Sequence, residues 1–77
     1  MSPRLPSVGA KDVIRALERA GFVIVRSSGS HHLLVHPSDP RRRTTVAVHA
    51  GRDIPKGTLR SILRQAGLSV EEFSGLL

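Results

Sequence analysis

The spacing of apolar residues changes period twice along the chain, and that change restricts the fold more than any other feature. In "GAKDVIRALERAGF" the residues Ala10, Val13, Ile14, Leu17 and Ala20 recur at i, i+3, i+4 and i+7, which predicts an amphipathic helix. Lys11, Arg15 and Arg19 fall off that face, and Gly21 suits the left-handed residue that closes a helix. "FVIVR" (22–26) is short, β-branched and aromatic, as strands are. "SSGS" is a tight connection, "HHLLVH" (31–36) a second strand, "PSDPRRR" a turn, and "TTVAVH" (44–49) a third strand. After the loop "AGRDIP", the helical period returns in "KGTLRSILRQA", where Leu59, Ile62, Leu63 and Ala66 share a face. Asp53 is placed to cap that helix, with Pro55 in its first turn. Ser69 and Glu72 in "SVEEF" form a capping-box pattern that opens a short last helix carrying Phe73, Leu76 and Leu77.

The order is therefore α-β-β-β-α with a short terminal helix. The simplest packing is an α+β domain: a three-stranded antiparallel sheet covered on one face by the two long helices. The other sheet face is left for solvent or a partner. Seventy-seven residues suit one domain, read here as a loosely held tail at 1–8 and a folded unit at 9–77. A domain this small has a thin margin of stability, and with no cysteine it has neither disulfides nor thiolate metal ligands to support it. "MSPRLPS" lacks the apolar run of a signal peptide, and no stretch approaches the ~18 apolar residues of a membrane span. A cytoplasmic protein, with no membrane partner, is the expectation.

Twelve Lys and Arg against six Asp and Glu give a net charge of +6. Such a balance suggests a polyanion, nucleic acid first, or an acidic protein partner. With no Trp or Tyr and two Phe, bases have little to stack on, so contact through phosphate and shape is favoured.

His31 and His32 sit at the mouth of the second strand, and His36 and His49 end the second and third. Metal binding fits poorly: His32 and His36 stand roughly 13 Å apart on one strand face, and zinc needs its ligands about 2.0–2.1 Å from one centre. No metal and no cofactor is expected. General acid–base chemistry fits better, because imidazole titrates near neutrality. RNA supplies its own nucleophile, so cleavage needs only a base, an acid and cations for the phosphoryl charge. If the hairpin pairs symmetrically about Pro40, His36 faces Thr44 and His31 faces His49. The residues alone leave open whether that pair works or is two idle strand histidines.

The set "GF" after a first helix, "R..GSH", a histidine after strand three and "GTLRSILRQAGLS..EF" resembles the HicA family over residues 9–77. That resemblance implies an mRNA-interferase toxin of a toxin–antitoxin pair with a double-stranded-RNA-binding-domain-like fold. It implies metal-independent endoribonuclease activity on mRNA and a HicB-like antitoxin that covers the catalytic surface. His31 of Gly29-Ser30-His31 carries over as the catalytic histidine, with Gly29, Ser30 and His49 in support. His32 then falls on the opposite side of the strand, in a structural role. Before His49 the chain reads Val46-Ala47-Val48, without the proline the family often has there.

Lys56, Arg60 and Arg64 form a stripe on the second long helix, and Arg41, Arg42 and Arg43 crowd the expected hairpin tip. With Arg26 of the "R..GSH" motif, Arg41–Arg43, Lys56 and Arg60 are the candidates for gripping RNA phosphates. The competing readings are a solvated charged surface, or arginines that meet an acidic antitoxin. A non-catalytic RNA-binding module of the same fold is the alternative function, and a protein-interaction domain a third.

Overall fold

The computed structural model describes residues 4–77. It has the α+β order expected: α1 (Ala10–Arg19), β1 (Val23–Ser28), β2 (His31–His36), β3 (Asp39–Ala47), α2 (Lys56–Ala66) and α3 (Val70–Ser74). The sheet is antiparallel in the order β1-β2-β3, so β2 is central. Both long helices lie on one face of it, as in a double-stranded-RNA-binding domain, and pack on β3.

Helix α1 buries Ala10, Val13, Ala16 and Leu17, a stripe turned slightly from the expected one, with Ile14 and Ala20 at its margin. It ends where Gly21 takes φ 101°, which lets the Phe22 N–H reach back to the Leu17 carbonyl at 3.0 Å. Helix α2 buries Leu59, Ile62, Leu63 and Ala66, as its spacing predicts. Its N-cap is Pro55, and no side chain caps it. Asp53 stands two residues too early for its carboxylate to reach the free amides; its backbone instead bridges to Gly9. In α3 the capping box forms in full, Ser69 with Glu72, and delivers Phe73 into the core.

Part of the expected tail is tied down. Val8 is buried, its carbonyl accepts from the Ile54 N–H at 2.8 Å, and Leu5 packs against the core. Residues 1–3 of that tail lie outside the described residues.

The hairpin differs most from expectation. Pro37 and Ser38 alone make the turn, and β3 begins at Asp39, so the three arginines belong to a strand and not to a loop tip. Asp39 pairs with His36, and the next pair is Val35 with Arg43, so Pro40, Arg41 and Arg42 are extra residues on the β3 side. Asp39 braces this irregularity, accepting from the Arg41 N–H at 3.2 Å and from its Nε at 3.1 Å. The resulting register differs by two from one centred on Pro40, so Ala47, and not His49, stands opposite His31. A slide of two keeps every residue on its own face but changes its neighbour.

Candidate active site on the open face of the sheet

Burial separates the two faces of the sheet. Leu34, Thr44 and Val46 are buried beneath the helices. The Thr44 hydroxyl donates to Gln65 Oε1 at 2.7 Å, so its burial leaves no polar atom unpaired. His32 alternates onto this inner face and shares a 2.8 Å hydrogen bond with the Ser27 hydroxyl. His36 does so too: its ring stands edge-on to Phe22, centroids 5.2 Å apart, and its Nδ1 accepts from the Ser38 N–H. A Cβ on Gly21 would meet His36 Nε2 at 3.0 Å, so a glycine there serves both the helix end and the histidine.

The outer face reads as rows across the strands: Ser28, His31, Ala47; then Arg26, Leu33, Thr45; then Val23, Val35, Arg43. A strict alternation along β1 would put Ile24, Arg26 and Ser28 together on the inner face. The pairing instead skips Val25 between Ile24 and Arg26. This bulge turns Arg26 and Ser28 outward while Ile24 stays opposite buried Leu34.

Arg26, Ser28, His31, Leu33 and Thr45 consequently surround one shallow depression of about 230 Å³. His31 is exposed at its rim and Gly29, at φ 59°, makes the turn before it. The Ser30 carbonyl accepts from the Val48 N–H at 2.9 Å, which carries the strand pairing past Ala47. Chemically the depression offers a proton-transfer group, a permanent cation and two hydroxyls within one small area. His49 lies beyond the end of β3, in the wall of a separate pocket between β3 and the starts of α1 and α2.

The other basic candidates are dispersed. Arg43 shares the outer face with His31, two rows away. Arg41 is paired with Asp39, whose carboxyl it holds below the usual range by hydrogen bonding and charge. Arg42 is engaged in the fold: its Nε donates to the Ala66 carbonyl at 2.7 Å, and its guanidinium lies 5.3 Å from the Phe22 centroid. Lys56 donates to the Leu5 carbonyl and the Ser7 hydroxyl. Arg60 is exposed on α2, in the helical layer behind the sheet. Ser28 and Thr45 escape the sequence, because only cross-strand register makes them neighbours of His31.

Among the described residues, no three His, Cys, Asp or Glu side chains gather as a metal site would require. No helix there is long and apolar enough to cross a membrane. Residues 10–68 match the family model described as the HicA toxin of bacterial toxin–antitoxin systems. No curated protein matches the chain.

Proposed function

Because the chain belongs to the HicA toxin family, and so has an antitoxin as its counterpart, we propose that it is a metal-independent endoribonuclease that cuts mRNA with His31 as its proton-transfer group. One observation carries the reading: His31 shares its depression with the Arg26 guanidinium and the hydroxyls of Ser28 and Thr45.

In RNA the 2′-hydroxyl attacks the adjacent phosphorus and the bond to the 5′-oxygen breaks. The products are a 2′,3′-cyclic phosphate and a 5′-hydroxyl. One proton leaves the 2′-oxygen and one arrives at the 5′-oxygen, and His31 makes one of these transfers. Arg26 offsets the charge that grows on the phosphoryl oxygens, and Arg43 holds a neighbouring phosphate. Gly29 and Ser30 hold the turn that presents His31. His49, at the same end of the sheet, supports the site from its edge. A HicB-like antitoxin neutralises the toxin by covering the outer face. The shortage of aromatic residues fits a substrate held by phosphates and not by stacked bases.

The test is His31→Ala beside wild type at equal soluble level, followed by growth and mRNA integrity. The reading expects growth arrest and fragmented mRNA with wild type alone, while the variant still binds RNA. A variant that still cleaves RNA defeats the assignment of His31. A wild type that binds RNA and never cleaves it makes the domain a non-catalytic module.

A further inference from the structure

The pocket beyond β3 is larger than the depression at His31, about 290 Å³, and the chemistry proposed above does not use it. Ala47, Ile54, Pro55 and Ile62 form apolar walls, and Asp53 and Thr58 supply polar groups. Its floor is fixed: the Asp53 backbone bridges to Gly9, and the Ile54 N–H donates to Val8. Ala47 lines this pocket and stands directly opposite His31 on the neighbouring strand, so the pocket begins one strand over from the proposed catalytic histidine.

A pocket with mostly apolar walls and a few polar groups suits a planar base whose edge is read by hydrogen bonds. Arg52 and His49 at its wall are suited to the phosphate that accompanies such a base. Asp53 in this lining is unusual for so basic a chain, since it is an acid and, among the described residues, is held in no ion pair. A carboxylate only accepts hydrogen bonds. Guanine presents two adjacent donors on its Watson–Crick edge, a ring N–H and an amine, which match the two oxygens of a carboxylate. Uracil presents carbonyl oxygens to either side of its single N–H, and these would meet the carboxylate's negative charge.

We propose that this pocket is the specificity site of the nuclease: it receives the base of a nucleotide flanking the cut, and Asp53 selects guanine there. The proposal rests on the reading that the domain cleaves RNA at His31. It places sequence choice outside the catalytic depression, in a pocket that shares no lining residue with it.

The experiment is cleavage of a random-sequence RNA by wild type, Asp53→Ala and Asp53→Asn, with the 5′-hydroxyl ends sequenced. Circular dichroism confirms that each variant is folded. Wild type is expected to enrich guanine at one fixed position beside the cut by about tenfold or more over uracil. Both variants are expected to lose most of that enrichment, read as the ratio of guanine to uracil at that position among the ends each variant produces. Ends with no guanine bias, or a bias that survives in both variants, overturn the proposal while leaving the nuclease reading intact. A wild type that cleaves nothing defeats that reading, and the specificity site falls with it.

Discussion

Ile24 and Arg26, two residues apart in one strand, face opposite sides of the sheet because Val25 between them is bulged out of the pairing. The bulge thereby places a cation beside His31 without removing an apolar residue from the inner face. Deletion of Val25 restores plain alternation, and the chain then has to turn Arg26 inward or Ile24 outward. The deletion is expected to lower both thermal stability and RNA cleavage. Arg26→Ala separates the two effects: its melting temperature should stay near wild type while cleavage falls roughly 10²-fold, the usual loss for one charge-stabilising donor. Cleavage rates set beside thermal melts of the two variants check this.

Leu33 and Leu34 are adjacent and chemically identical, yet only Leu34 is fully buried. Leu34→Ala is expected to cost about 2–5 kcal/mol. In a domain this size that is a fall in melting temperature of roughly 8 °C or more. Leu33→Ala should cost less than half as much, because Leu33 lies on the open face. Equal losses in the two melts would contradict the assignment of faces.

Arg42 and Arg43 divide in the same way. Arg42→Ala removes a charge-assisted hydrogen bond to the last carbonyl of α2 and should cost about 1.5–3 kcal/mol of stability. Its effect on the salt dependence of RNA binding should be small. Arg43→Ala should leave stability alone and reduce the slope of log K against log salt by about 0.7–0.9. Binding titrations in the His31→Ala background, where the proposed mechanism expects no cleavage, measure the slope.

Acid should loosen the C-terminal helix first. The Glu72 carboxyl is held below its ordinary value, chiefly by the Ser69 backbone N–H at 2.9 Å. A group depressed in the folded state stabilises it fully above its unfolded value, about 4.3 for glutamate, and less as pH falls through the folded value. Asp39, depressed by Arg41, acts in the same direction. Glu72→Gln keeps the capping geometry and cannot titrate, so its urea midpoint should depend less on pH below about 4.3 than that of wild type. Ser69→Ala should cost about 1 kcal/mol already at neutral pH.

The helices were legible because apolar period, terminal glycines and the Ser69–Glu72 box agree with one another. The Gly29-Ser30 turn and the strand that opens at His31 were legible too. What surrounds it was not. Nothing in "VIVR" marks Val25 as the residue left out of the pairing, since Val23, Ile24 and Val25 are alike in size and branching. The turn at Pro37-Ser38 competes with the one centred on Pro40, and because the two registers differ by two residues they bury the same side chains, so apolar alternation does not tell them apart. Capping by Asp53 failed on distance, two residues before the N-cap, and Asp53 instead lines the pocket.

On β2 and β3 the residues that hold the core and those that face outward take turns along the same few positions. Damage to the chemistry is therefore easily uncoupled from damage to the shape. A copy of this chain with one outer-face substitution remains a well-folded dummy. Where the antitoxin covers the outer face, as proposed above, such a dummy is expected to occupy it and so to free active copies from restraint. A mutation that disarms one toxin molecule in this fold can thus arm its neighbours.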